Sequence, residues 1–347
     1  MELGIYSFGD VDPDGSRGRR NSVHERLTGL VRQAVLADEA GLDVIGIGEH
    51  HRRDFAVSAP EVVLAAMANA TSRISLTSAV TVLSTQDPVR VYQQFATLDH
   101  LSEGRAEIIA GRGAFTESFP LFGYRLQDYD LLFEEKLDLL LRLRDQAVVS
   151  WTGDSRPPLR ESVIAPRSLQ SKLPVWVGVG GTAASAARAG RFGVPMFLGF
   201  FTGPDPFVPL VETYWAAAEA AGQPKSALRV ASCGHMFVGR TSQSARDDYF
   251  PYYSRYLSML PQFAAGMPRS VYDQWLDQGL TVGSPAQVVD SIMRHHELLG
   301  STRYLGQIDV GGMPEAMLSE SIELFATEVA PVVRKETSGT AEAAAAR

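Results

Sequence analysis

The sequence predicts a single eight-stranded β/α barrel. Three observations predict it: short apolar runs alternate with helical patterns along the chain, eight such units can be counted, and no linker divides them. That alternation gives a parallel sheet with helical crossovers. Eight units in one chain fit a closed barrel better than an open sheet. With 347 residues, 45% of them hydrophobic and 21% charged, there is material for one large core.

Leu3 to Phe8 reads as the first strand, and a loop rich in Gly, Asp and Arg follows through Asn21. Val23, Leu27, Leu30, Val31, Ala34 and Val35 then share one helical face, which Gly41 ends. Asp43 to Glu49 is the second strand, with an Ala-rich helix from Pro60. Ile74 to Val82 is the third, and Asp87-Pro88 opens its helix, with proline where no amide partner is needed. Glu107 to Gly111 is the fourth, and Phe133, Leu137, Leu140 and Leu141 align on the helix of its crossover. Residues 148–165, with Gly153, Pro157 and Pro158, read as an irregular excursion. Strands five to seven are Val175 to Val179, Met196 to Phe200 and Arg229 to Val238. Tyr304 to Val310 is the eighth, with a closing helix from Pro314. The barrel domain spans 1–335, with an aromatic-rich, lid-like insertion over 241–280 before the last strand. The Ala-rich tail, 336–347, is expected to be disordered.

The net charge is −8 and the two signs are interspersed, so no nucleic-acid or membrane partner is expected. A single cysteine, Cys233, leaves no intrachain disulfide and no multi-cysteine metal site. No window could span a bilayer and the start lacks a secretory pattern, so a cytoplasmic location is expected.

In β/α barrels the active site lies where the strands end. The second strand ends in Glu49-His50-His51, and alternation puts Gly46, Gly48 and His50 on one face. With that face inward, the mouth has room for a flat ligand beside an imidazole, and His51 points away. Neighbouring histidines on opposite faces do not share a metal, so no metal site is expected. His50 reads either as an acid–base group or as a histidine hydrogen-bonded at a strand end. The fourth strand runs into Gly111-Arg112-Gly113-Ala114-Phe115, where the backbone can approach a ligand beside a guanidinium fork. A surface arginine in a tight turn is the competing reading. Gly180-Gly181-Thr182, with Ser185 one turn inside a helix, suits either an anion site or a tight strand-to-helix turn. Glu107 has no evident role in a core strand. His235 reads as either facing the mouth or packing in the barrel wall, with packing favoured, and His295 and His296 as solvated.

Taken in combination, several segments resemble the luciferase-like flavin monooxygenases over nearly the whole chain. They are Glu49-His50-His51, Ser78-Ala79-Val80-Thr81-Val82-Leu83, Asp87-Pro88-Val89-Arg90 and Leu101-Ser102-Glu103-Gly104-Arg105. Gly111-Arg112-Gly113, the run from Val175 to Thr182, and Val282-Gly283-Ser284-Pro285 complete the pattern. The resemblance implies a monooxygenase in which reduced FMN, bound or exchanged as a co-substrate, reacts with O2. The reaction would pass through a C4a-peroxide and act on a small organic substrate. Hydride transfer from the deazaflavin F420 and non-catalytic flavin binding are the alternatives.

The resemblance also implies roles. His50 is the acid–base group and Glu49 a carboxylate near the flavin. A cis peptide between Ala79 and Val80 lies against the ring. Arg112 reaches the phosphate end, with backbone contacts from Gly113 and Ala114. Gly180, Gly181, Thr182 and Ser185 form the phosphate cradle. A separate NAD(P)H:flavin reductase is expected, because no Rossmann fingerprint is present. A homodimer is implied as well. The aromatic residues of 241–280 suit either an apolar substrate or packing of the insertion on the barrel.

Overall fold

The computed structural model describes residues 1–12, 15, 22–113, 115–199 and 203–345. Within them eight parallel strands form the barrel: β1 (Glu2–Ser7), β2 (Val44–Ile47), β3 (Ser75–Ser78), β4 (Ala106–Gly111), β5 (Val175–Val179), β6 (Met196–Gly199), β7 (Val230–Val238) and β8 (Ser301–Gln307). Each pairs with its successor, and β8 returns to β1 in the register Glu2↔Arg303 through Tyr6↔Gln307, which closes the ring. The helices are α1 (Val23–Glu39), α2 (Pro60–Ala70), α3 (Pro88–Leu101), α4 (Tyr129–Asp145), α5 (Ala183–Arg191) and α6 (Val208–Ala220). They continue as α7 (Ser242–Leu257), α8 (Arg269–Asp277), α9 (Pro285–Leu299), α10 (Glu315–Leu324) and α11 (Ala330–Ala345).

Local signals place the helix starts. Ser22 and Glu25 form a capping box before α1. Asp87 accepts the amides of Val89 and Arg90 at 2.9 and 3.3 Å, and Pro88 occupies the first helical position, where its missing N–H is harmless. Period two then sorts each strand. Leu3, Ile5, Ile45, Ile47, Ile108 and Val177 face the helices in one large cluster. Tyr6, Val44, Ile109, Trp176, Phe197 and Leu305 face inward in a smaller one. The 241–280 insertion builds a third cluster in which Phe237, Tyr249 and Tyr253 stack at centroid spacings of 5.3 and 5.2 Å.

The lower interior is closed by charge, which accounts for Glu107. Arg303, 1% exposed, donates to the two Glu107 oxygens at 2.5 and 3.1 Å and to Glu2 at 2.8 Å. Its guanidinium lies 4.6 Å from the Trp176 ring centroid. Paired in this way the buried charges are tolerated; removing one partner would leave the other stranded.

Several boundaries differ from expectation. Residues expected to be irregular after α4 form an antiparallel hairpin, Val148–Trp151 with Leu159–Val163. Strand β3 stops at Ser78 and resumes over Thr81–Val82. Strand β8 begins three residues earlier than its apolar run, because the polar Ser301 and Arg303 are buried through their partners. Helix α11 runs on to Ala345.

Candidate functional site

A cavity of about 530 Å3 opens at the C-terminal ends of the strands. Glu49, His50, Ala79, Val80, Arg112 and Gly113 line it, as do Gly180, Gly181 and Thr182. The fold therefore brings together segments that lie far apart in sequence. Ser185 sits just beneath the lining, buried and bonded to two lining residues. Ala114 lies outside the described residues.

At one end, β4 and β5 deliver a polar cluster. Thr182 caps α5 by accepting the Ser185 amide at 3.3 Å, and its hydroxyl lies 2.8 Å from the Ser185 hydroxyl. Arg112 donates to Ser185 Oγ at 2.7 Å and to Asp130 at 2.6 Å. The guanidinium stacks on Tyr129, 4.7 Å from the ring centroid, and the Tyr129 hydroxyl donates to the Gly113 carbonyl at 2.9 Å. The first amides of a helix have no intrahelical acceptor. A side chain added at Gly180 or Gly181 would meet nothing within 4 Å, so this backbone faces open space. A guanidinium, two hydroxyls and a helix start on one open wall fit an anion.

The peptide between Ala79 and Val80 is cis, as the resemblance implies, and both residues line the cavity. Glycine makes space for this segment. A Cβ on Gly111 would come within 2.5 Å of Val80 Cγ2, and one on Gly46 within 2.8 Å of Ala79 Cβ. The expectation that Gly46 and Gly48 leave room for a ligand is corrected: the Ala79 methyl and the Phe8 ring fill that space, with Phe8 2.1 Å from a Cβ built on Gly48.

Beyond β2 the chain turns and separates the two histidines. Glu49, 2% exposed, accepts from the Val82 amide, the Gln86 amide group and His51 Nε2, each at 2.8 Å. His51 is thus not turned out of the site, as alternation suggested; it pairs with Glu49 and lines the same cavity. His50 sits among Phe8, Phe55 and Phe115, at centroid distances of 4.8, 4.2 and 5.1 Å. Its Nδ1 is 3.7 Å from Glu117, which also accepts the His51 amide at 3.3 Å. Burial would raise the Glu117 carboxyl, but His50, its own amide and the His51 amide outweigh it and hold Glu117 below the ordinary range. An imidazole in an aromatic box beside an ionised carboxylate can hold or pass a proton.

Sequence reasoning missed Glu117, Tyr129 and Gln86. Each lies on a loop or helix whose local pattern carries no sign of the partner. It also misplaced two histidines. His235, for which packing in the wall was favoured over facing the mouth, points into the barrel and lines the cavity, with Nδ1 2.7 Å from the Tyr253 hydroxyl. His295, expected to be solvated, is buried with its ring 5.0 Å from that of Tyr304. Desolvation brings each ring down to about 3, so both are neutral near pH 7. His296 is half-buried and bonded to the Ser301 carbonyl at 2.9 Å.

The model of the luciferase-like monooxygenase family matches residues 1–302. The 4-hydroxyprotoasukamycin monooxygenase of Streptomyces nodosus subsp. asukaensis is 29% identical over 318 residues, covering 85% of this chain and 83% of that one. The oxygenating constituent of 3,6-diketocamphane monooxygenase from Pseudomonas putida, solved in complex with FMN, has a TM-score of 0.78 at 22% identity. It covers 95% of this chain and 98% of its own. The coenzyme F420-dependent tetrahydromethanopterin reductase of Methanopyrus kandleri has a TM-score of 0.75 at 19% identity, covering 96% and 99%. The two structures share the barrel, and the sequence match runs through the strand ends that build the cavity. The chain belongs to the luciferase-like monooxygenase family and is an enzyme of that class.

Proposed function

We propose that the chain is an FMN-dependent monooxygenase acting on a small organic substrate. The observation that carries this is the polarity of one cavity: an anion-binding cluster at β4 and β5, and an apolar space with His50 and Glu49 beyond it. Ligand pockets of about 300–1,000 Å3, mostly apolar with a few convergent polar groups, are the usual form for such sites. When bound, reduced FMN would supply the two electrons with which one atom of O2 enters the substrate and the other leaves as water.

The chain's own residues divide the remaining work. Arg112, Thr182 and Ser185, with the amides from Gly180 onward, hold the phosphate. Asp130, 70% exposed at its side chain, yields the guanidinium to that stronger anion. Ala79 and Val80 bear on the flat ring, and Gly113 completes the backbone contacts. Glu49 fixes residues 82 and 86 and His51 on one carboxylate, so the wall beside the ring stays rigid. His50 holds or moves a proton at the reacting end, and the three phenylalanines around it keep water out. A separate NAD(P)H:flavin reductase supplies the electrons, and a homodimer is the working unit.

Anaerobic titration with reduced and oxidised FMN, followed by an oxygen pulse while spectra are recorded, tests the reading. Reduced FMN is expected to bind, and bound flavin to return to the oxidised spectrum more slowly than free flavin. Binding of F420 in preference to FMN would transfer the site to deazaflavin hydride transfer. No binding of either would remove the flavin reading.

A further inference from the structure

Residues 115–122 cross the mouth between the two halves of the site and carry one polar group that neither half uses. Phe115 and Glu117 reach the imidazole side: the Phe115 ring lies 5.1 Å from that of His50, and Glu117 lies 3.7 Å from His50 Nδ1. Phe119 reaches the other side, where it stacks 5.4 Å from Tyr129, the ring that carries the Arg112 guanidinium. Ser118 stands between these anchors. It lines the cavity and is 2% exposed, and its Oγ has no hydrogen-bond partner among the described residues.

A buried hydroxyl without a partner is unfavourable. It offers one donor and two acceptor positions, so a ligand satisfies it only by being polar at this point. The charges nearby narrow the choice. Although burial works against it, Glu117 is held ionised by His50 and by its own and the His51 amide, and it disfavours a second anion beside it. Among the described lining residues the one lysine or arginine is Arg112, on the other side. The group that meets Ser118 is therefore a neutral one. The flavin reading puts a phosphate at Arg112 and the reacting end of the ring at His50. What spans those two points in FMN is the ribityl chain, a run of neutral hydroxyls that both donate and accept.

We propose that Ser118 Oγ binds the polyol chain of the flavin, midway between the phosphate cluster and the ring. The assignment rests on the FMN reading for the direction in which the ligand lies. It adds a contact that recognises hydroxyls, separate from those that recognise the phosphate or the ring.

Fluorescence titration of the full flavin-free chain with FMN, riboflavin and lumiflavin tests this, because the series removes first the phosphate and then the polyol. Riboflavin should bind the unmodified chain tighter than lumiflavin. Ser118→Ala should weaken FMN and riboflavin by the same factor, about three- to tenfold, and leave lumiflavin unchanged. Since the hydroxyl has no partner in the flavin-free chain, Ser118→Ala should not lower the urea midpoint, which also shows that the variant is folded. A lowered midpoint would give Oγ a partner within the protein and overturn the contact. A loss confined to FMN would move Ser118 to the phosphate, and an equal loss for lumiflavin would move it to the ring; either result overturns the proposal, as does no loss at all. Binding to the unmodified chain reports on the FMN reading by itself. If none of the three flavins binds, that reading falls and the polyol contact with it; if they bind and Ser118→Ala changes nothing, the contact falls alone.

Discussion

The two ends of the barrel interior are built by the same inward alternation and treat polar atoms in opposite ways. At the lower end Glu107, Arg303 and Glu2 satisfy one another, and Trp176 stacks on the guanidinium. At the mouth Ser118 Oγ is buried without a partner beside a cavity, and Gly180 and Gly181 present bare backbone to open space. Matched polar groups in a core hold a fold together, whereas unmatched ones beside a cavity mark where a ligand completes the set. Substitutions at the lower end should therefore change stability, and those at the mouth should change binding and turnover.

The largest effect is expected at the mouth. His50→Ala should slow turnover about 10²- to 10⁴-fold, the usual contribution of an acid–base group, while flavin still binds and the denaturation midpoint moves little. His51→Ala should act differently, because it releases Glu49: flavin affinity should fall more than turnover of the loaded enzyme. Identical defects in the two variants, measured as kcat and flavin Kd, would erase the distinction between the histidines.

At the lower end, Glu107→Ala strands Arg303 and should cost about 3–5 kcal/mol in urea denaturation. The double change Glu107→Leu with Arg303→Met should recover most of that loss, since an apolar pair of similar volume has no buried charge. Flavin affinity should be unchanged in both. A variant that lost flavin binding while keeping its stability would break the contrast between the two ends.

Acid exposes one exception at the mouth, where a buried group also bears on stability. His235 is neutral in the folded chain, titrating at about 3, whereas an exposed imidazole titrates near 6.5. As pH falls below about 6.5 the unfolded chain takes up a proton that the folded chain refuses, so stability is lost, by about 1.4 kcal/mol per pH unit for this group. His235→Asn should flatten the stability–pH curve between about pH 6 and pH 4 by that slope. An unchanged slope would mean that His235 is protonated in the fold.

The barrel was legible because eight apolar runs keep period two and their helices keep a period of 3.6. The strand ends were legible because Gly111-Arg112-Gly113 and Gly180-Gly181-Thr182 carry local chemistry. What escaped depends on contacts distant in sequence. Arg303 hid the start of β8, because its partner Glu107 is 196 residues away. The hairpin over Val148–Trp151 and Leu159–Val163 escaped because its second strand is mostly exposed and prolines precede it. Glu117 lies in a loop, where no period assigns a face. His235 shows that alternation gives a side chain's direction but not what surrounds it.

The claim that the mouth is a phosphate-bearing flavin site meets its most direct test in the ratio of riboflavin to FMN dissociation constants, for the unmodified chain and for Ser185→Asp. Because Arg112 already donates to Ser185 Oγ at 2.7 Å, a carboxylate there would capture the guanidinium and oppose the phosphate. FMN should bind the unmodified chain at least tenfold tighter than riboflavin, a difference of about 1.4 kcal/mol or more. Ser185→Asp should remove this preference by weakening FMN while leaving riboflavin nearly unchanged. Equal affinities for the two flavins on the unmodified chain, or equal losses in the variant, would contradict it.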